Sequence, residues 1–291
     1  MNGRFDVGLQ SRTSMAETLL RLEDLEVSRG MNNVLSSFHL EIKSGDVVVL
    51  HSENGAGKST VIESSARLLP LEKGSVFHHD ALVLDAEGRR NLPKKPFGLT
   101  LQSNGLIGDE TVENHLLTVC ALSHMKADIT PILESFGLAH RKHDRIGQLS
   151  GGQARKVAVI AGLLPAMLSS KPRLILLDEP ATGLDQSAVQ TLVSAIGQLR
   201  SAGHGFLIAS HHPSMLECAT RLHDLKEEVE HKPSDDDVWT AIGQPEPRTL
   251  VAARAGNRYL RSTRAGLARN GLTALLVLVT PLAFFYPTQL L

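Results

Sequence analysis

The spacing of apolar and polar positions changes along the chain, and each change marks an element. "LEDLEVSRG" and "FHLEIKSGDVVVLHS" run first as alternating and then as continuous β-branched stretches, punctuated by Gly30, Ser44 and Gly45. Alternation with a period of two fits a half-buried strand, and an unbroken run such as "VVVL" fits a strand buried on both faces. "NGAGKSTVIESSARLLP" opens as a glycine turn and becomes a helix that Pro70 ends. From about Ser103 to Leu168 the apolar spacing lengthens to three and four residues, as in "DETVENHLLTVCALSHM" and "ITPILESFGL", which predicts helices. A buried strand ("RLILLDEP"), a helix ("QSAVQTLVSAIGQLRSAG") and a further strand ("GFLIAS") follow. The pattern predicts an α/β protein: an open sheet entered through strand, glycine loop and helix, with a helical insertion before its later strands.

Past residue 224 the pattern changes again. Residues 225–247 are acidic and contain proline, which predicts a linker. Residues 248–270 carry Arg248, Arg254, Arg258, Arg261, Arg264 and Arg269 and no acid, which predicts a basic amphipathic helix. Residues 271–291, "GLTALLVLVTPLAFFYPTQLL", hold no charge. As a helix this run would be roughly 31 Å long, enough to cross a bilayer core. The arginines flank it on the side expected to lie in the cytoplasm, and Phe284, Phe285 and Tyr286 gather at the far end like an interfacial belt. The run therefore predicts a membrane-anchoring or transmembrane segment, either a tail anchor or the first segment of a fused or split permease. A C-terminal helix packed on a soluble core is the alternative that Pro281 keeps open.

Composition narrows the classes. Apolar content of 42% and charge of 21% are globular values, so wholesale disorder is excluded. A formal net charge of -1 argues against nucleic acid as a partner. The two cysteines, Cys120 and Cys218, have neither disulfide nor metal-ligand spacing and read as free thiols. The N-terminal stretch, residues 1–16, has no apolar run and reads as a flexible extension rather than a secretory signal, so the following domain is expected in the cytoplasm.

The first candidate chemistry is "SENGAGKST", Ser52 to Thr60, between a buried strand and its helix. Phosphate oxygens need converging backbone N–H donors, and small residues let the chain curl closely enough to supply them. Gly55 and Gly57 allow the curl around Glu53, Asn54 and Ala56; Lys58 is expected at the β/γ-phosphates, Ser59 at a Mg²⁺ ion, and Thr60 within the helix start. Ser52 stands where the phosphate-loop pattern wants glycine. The second is "RLILLDEPATGLD", which brings Asp178 and Glu179 side by side to the C-terminal end of a strand, where ligands of parallel sheets sit. Asp178 is then expected to hold the Mg²⁺ shell and Glu179 to polarise the attacking water.

Between these sites lies "QLSGGQARKVAVIAGLL". Leu149, Ser150, Gly151, Gly152 and Gln153 resemble the signature motif of ATP-binding-cassette (ABC) ATPases, and the order of the motifs is similar to theirs. The resemblance covers about residues 17 to 224 and implies a P-loop NTPase of ABC type with a helical subdomain at about 103–168. It implies an ATP-hydrolysing subunit of a transporter with ATP and Mg²⁺ as cofactors. Gln102 resembles the Q-loop glutamine, which touches Mg²⁺ and water and couples to the membrane partner. Asp185 resembles the D-loop aspartate, and His211, preferred over His212, the switch histidine at the γ-phosphate. Arg29 falls at the adenine-stacking position, where the family favours an aromatic ring. The resemblance further implies a head-to-tail homodimer or paired cassette, in which Ser150, Gly151 and Gly152 cap the partner's ATP, and a separate or fused permease at the cytoplasmic face of the cell membrane. A single compact cassette and "SHHP" after the last strand are similar to the haem-export ATPases of cytochrome c maturation, and an exporter is expected. Two other classes are weighed. A soluble ABC ATPase acting on ribosomes or DNA would carry two cassettes or long coiled coils, and this chain has neither. A regulator that binds ATP without turnover is suggested only by Ser52 and Arg29.

Overall fold

The computed structural model describes residues 16–225 together with 228 and 229. The chain opens with a hairpin, β1 (Thr18–Arg29) and β2 (Asn32–Lys43), then gives the short strand β3 (Val47–Leu50) and helix α1 (Lys58–Ser65). A second hairpin, β4 (Lys73–His78) and β5 (Ala81–Asp85), and strand β6 (Gly98–Thr100) come next. Helices α2 (Val112–Leu122), α3 (Thr130–Ser135) and α4 (Gly151–Met167) form the helical stretch. Then follow β7 (Leu174–Asp178), α5 (Gln186–Ser201), β8 (Gly205–Ala209), α6 (Pro213–Glu217), β9 (Arg221–His223) and β10 (Glu228–Val229).

The strands make two sheets. One is antiparallel, in the order β2-β1-β4-β5; the other runs β10-β9-β3-β8-β7-β6 and is parallel except for β10. The sequence pattern predicts β1 and β2 of the first and the central strands β3, β7 and β8 of the second. The missed pair, β4 and β5, is joined by His79 and Asp80, which take positive φ values of 48° and 60°. Such turns normally advertise themselves with glycine or asparagine, so the local signal was absent.

The central strands β3, β7 and β8 are buried at every position, as strands covered on both faces must be. Their side chains alternate between two apolar clusters. Val47, Val49, Ile175, Leu177, Phe206 and Ile208 pack towards a core shared with α2, α4 and α5. Val48, Leu50, Leu174, Leu176, Leu207 and Ala209 pack towards the antiparallel sheet and α1, against Leu20, Leu22 and Ile62. The parallel sheet is thus the middle layer, and its period-two alternation splits the protein into two cores. α4 crosses β6 at a close backbone approach: a Cβ on Gly98 would overlap the Gly162 carbonyl oxygen, and one on Gly162 would overlap Thr100 Oγ1.

The expected N-terminal extension (1–16, all but its last residue), acidic linker (225–247, all but 225, 228 and 229), basic helix (248–270) and membrane segment (271–291) lie outside the described residues. Among the described residues no helix is long and apolar enough to cross a membrane.

Candidate functional site

Four neighbouring strands of the parallel sheet end on one edge. β3 leads into the glycine loop and α1; β8 leads to Ser210 and His211; β7 ends at Asp178 and is followed by Glu179; β6 is followed by Gln102. Because Leu50 and Asp178 both pair with Ala209, and Thr100 pairs with Leu177, these ends lie level with one another. The carboxyl edge of a parallel sheet is where open α/β folds place ligands.

In the glycine loop, Gly55 and Gly57 take φ values of +82° and +105°, which L side chains rarely adopt, and a Cβ on Gly57 would sit 2.8 Å from Val34 Cγ1. Lys58 is buried and its ammonium is folded under the loop, donating to the carbonyl oxygens of Ser52 at 2.5 Å and Glu53 at 3.0 Å. Burial holds its pKa below the usual lysine range, while the carboxylates of Glu179, Asp178 and Asp224 pull in the other direction. Glu53, Asn54 and Gly55 are exposed, Ala56 and Ser59 half-buried and Thr60 buried. The first turn of α1 contains no acid, so its N-terminal field is uncancelled within the helix. Ser52 has a contact that accounts for the departure from glycine. Its buried hydroxyl donates to Asp224 Oδ1 at 3.4 Å and accepts from the Leu225 N–H at 3.1 Å, tying the loop to the segment just after β9.

Asp178 is 2% exposed, and its Oδ1 has no hydrogen-bond partner among the described residues. Burial raises its pKa; the Ser59 hydroxyl bonded to it lowers the value and the nearby Glu179 charge raises it further. A buried carboxylate oxygen without a donor, beside a hydroxyl, is a donor set that fits a hard divalent cation. Glu179 is half-buried and held at φ +46°, outside the range usual for a side-chain-bearing residue. Its N–H donates to the Ala209 carbonyl at 2.8 Å and its Oε2 accepts from Ser210 Oγ at 3.4 Å, so the β8 terminus aims it.

The two histidines after β8 separate clearly. His212 is committed to α6: its Nδ1 accepts from the Ser214 N–H at 3.2 Å and caps the helix. His211 is exposed and its ring meets that of His51, at the mouth of the glycine loop, edge-on at 5.7 Å between centroids. Gln102 is also exposed. Arg29 reaches α1, where Nε donates to Thr60 Oγ1 at 3.1 Å and Nη2 to Glu63 Oε2 at 2.6 Å; its guanidinium therefore lies over the helix start.

Leu149 to Gln153 form the start of α4. Ser150 and Gln153 make a capping box, the hydroxyl accepting from the Gln153 N–H at 3.3 Å and Gln153 Oε1 from the Ser150 N–H at 3.0 Å. Both polar side chains are thus spent within the helix start, and the donors left over are the N–H groups of Gly151 and Gly152, which no preceding turn can satisfy. Ser150 and Gly151 are exposed, while a Cβ on Gly152 would sit 2.9 Å from the Gly183 carbonyl oxygen. Asp185 caps α5 through the Ala188 N–H at 2.8 Å and pairs with Lys156 Nζ at 2.6 Å, which lowers its pKa.

One functional group was missed by the sequence reading. Arg155, only 4% exposed, extends from α4 to the carbonyls of Asp178 and Glu179 and to the loop holding Gln102. The available signal was an arginine in register with Val159, Gly162 and Ala166 on the buried stripe of α4.

A glycine loop at a helix start and adjacent carboxylates at the end of β7, in the same parallel sheet, define a P-loop nucleoside triphosphatase. The family model described as ABC transporter matches residues 35–182, and the chain belongs to that family. It is 29% identical over 206 residues to the lipoprotein-releasing system ATP-binding protein LolD of Hyphomonas neptunium, covering 68% of this chain and 88% of that protein. It is 32% identical over 202 residues to the zinc import ATP-binding protein ZnuC of Magnetococcus marinus, covering 69% and 71%. It is 27% identical over 279 residues to the macrolide export ATP-binding/permease protein MacB of Shigella sonnei; that alignment covers 90% of this chain but only 42% of MacB. A solved ATP-binding subunit of an ABC transporter superposes with a TM-score of 0.61 at 26% identity, over 73% of this chain and 90% of that one. The chain is an ATP-binding cassette of an ABC transporter and hydrolyses ATP.

Proposed function

We propose that residues 17–224 are the ATPase unit of an ABC exporter that works as a head-to-tail dimer at the cytoplasmic face of a membrane. The observation that carries the site reading is the level row of four strand ends, which brings Lys58, Asp178, Glu179, His211 and Gln102 to one edge. Lys58 exchanges the two loop carbonyls for the β/γ-phosphates of ATP, and the N–H groups of residues 53–60 cradle them. Ser59, Asp178 and Gln102 would hold Mg²⁺, which when bound neutralises charge developing on the phosphates. Glu179 orients and polarises the attacking water, and His211 contacts the γ-phosphate. Arg29 offers its guanidinium plane to the base. Ser150 and Gly151 are exposed at a helix N-terminus with Gly152 beside them, as a segment completing a second cassette's site would be, and Asp185 belongs to the same junction.

The transport partner is a permease. An apolar cleft of about 770 Å³ lined by Leu99, Leu101, Leu106, Leu122 and Pro165 opens beside the loop after Gln102. Leu122 and the neighbouring Leu92 are 67% and 86% exposed, more apolar surface than a solitary domain needs at one groove. A helix of the permease fits such a cleft. Export is favoured by the alignment with an ATP-binding/permease protein over 90% of this chain, which reaches beyond the described residues. The tail is then the membrane connection. The chain spans about two fifths of that relative's length.

The test is ATP turnover and pull-down of tagged protein from detergent-solubilised membranes. Recovery of a multi-spanning permease with turnover supports the reading. Recovery from the soluble fraction with ribosomal or DNA-bound proteins overturns it, and a chain that binds ATP but turns over no faster than Glu179→Gln is a regulator.

A further inference from the structure

We infer that Arg155 is a positioning residue for hydrolysis: its forked guanidinium fixes the loop that carries Gln102 and the strand end that carries Glu179 to the helix that begins with the signature segment. This rests on the reading of Glu179 as the group that polarises water.

The geometry divides the guanidinium into two arms. Nη1 donates to the Leu101 carbonyl at 2.7 Å, to Asn104 Oδ1 at 3.0 Å and to the Gln102 carbonyl at 3.4 Å. Nη2 donates to the Asp178 carbonyl at 2.6 Å and to the Glu179 carbonyl at 2.7 Å. One arm therefore serves the segment after β6, the other the end of β7, and the two strands are neighbours in the sheet. Four of the five acceptors are backbone carbonyls, whose dipoles converge on one point and would repel one another without a cation between them. Glu179 needs such a hold, because its φ of +46° is sustained only if the surrounding structure over-determines it. A planar, always-charged fork can serve both arms at once, and an ammonium cannot.

Among the described residues the guanidinium forms no ion pair: the nearby carboxylates of Asp178 and Glu179 act on it only through space. A buried cation whose donors go to the carbonyls of two catalytic loops is placed to set geometry. The next residue along α4, Lys156, reaches Asp185, so consecutive side chains tie the signature helix to both ends of the segment running from Asp178 to Asp185. Movement of the Ser150–Gln153 end is in this way transmitted to Glu179 and Gln102 of the same chain.

The experiment compares the wild type with Arg155→Met and Arg155→Lys as full-length chains in detergent. Circular dichroism reports folding, fluorescent ATP-analogue binding reports affinity, and steady-state turnover gives kcat and KM. The expected result for Arg155→Met is a fall in kcat on the order of 100-fold, the size of effect a displaced catalytic group produces. Analogue affinity and KM should stay within about threefold, because no phosphate contact is removed. Arg155→Lys should fold and fall by roughly tenfold, since one ammonium supports only one arm. Wild-type kcat in both variants, kcat and affinity lost together, or failure of both to fold overturns the positioning role. Should Arg155→Met alone fail to fold, Arg155→Lys decides the matter by the same criterion. A wild type that does not hydrolyse ATP would instead overturn the reading of Glu179 itself.

Discussion

Acidification should destabilise this cassette before its carboxylates are protonated, because two buried imidazoles are built to stay neutral. His78 is 1% exposed; its Nε2 lies 2.8 Å from the Ser65 carbonyl, and its ring packs edge-on against Phe97. Burial pushes its pKa down to about 4. His204 is 2% exposed, and burial together with the Arg173 charge pushes its pKa to about 4 as well. Its Nδ1 accepts the Arg173 N–H at 3.1 Å, a bond that a proton on that nitrogen would abolish. The unfolded chain takes up protons near pH 6.5 and the folded one near pH 4. Each histidine therefore contributes stability that is complete above pH 6.5 and is lost as pH falls from there towards 4. Between pH 7 and pH 5 the loss works out at about 2 kcal/mol per histidine, or about 4 kcal/mol together, a large share of a marginal domain's stability. Burial also lowers the pKa of His79, which adds in the same direction, whereas the raised pKa of Asp178 opposes it. Urea titrations followed by far-UV circular dichroism at pH 7 and pH 5 measure the difference directly. The single tryptophan, Trp239, lies outside the described residues. The double variant His78→Gln/His204→Gln should lose most of the pH dependence. A drop of undiminished size in that variant would refute the assignment to these two side chains.

Three further outcomes follow from the site and its supports. Glu179→Gln should lower turnover by about 100-fold or more while leaving nucleotide binding intact, as single-turnover assays beside equilibrium binding would show. Ser52→Gly should free the Leu225 N–H and the Asp224 carboxylate from the glycine loop at about 1 kcal/mol in stability. Faster proteolysis just after residue 225 would be the signature, and an unchanged digestion pattern would deny the tether. Gly162→Ala should destabilise by about 2–4 kcal/mol, the range for overpacking and displaced core backbone, because Thr100 and β6 leave no room for a methyl group. A thermal melt within a degree of wild type would show that α4 can slide.

The motifs were legible because each is written in nearby residues whose conformation is local: the curl of Gly55 and Gly57, the paired Asp178 and Glu179, the Leu149–Gln153 run at a helix start. The central strands were legible because burial on both faces leaves continuous apolar runs. The antiparallel sheet was only half legible. β1 and β2 alternate plainly, but the β4–β5 turn at His79 and Asp80 carries no glycine to announce it, and β6 is three residues long. Ser52 and Arg155 show a different limit. The first is explained by Asp224 and Leu225, the second by Leu101, Gln102, Asp178 and Glu179, all distant along the chain or reached across the sheet. Their roles exist only in the folded arrangement, whereas Arg29 is read from an aligned position, and in the structure its guanidinium bonds to Thr60 and Glu63.

The strand order also governs when this molecule can become active during synthesis. β3, which carries the glycine loop, has neighbours β8 and β9 in its sheet, and both lie more than 150 residues downstream. The antiparallel sheet, by contrast, is complete once residue 85 has emerged from the ribosome. A growing chain therefore acquires its outer layer early, while the strand before the phosphate loop waits with both edges open until residues 205–223 arrive. ATP cannot act as a folding template for the early intermediates, and a chain cut short before residue 205 leaves a fully apolar strand exposed to aggregation rather than a weakened enzyme.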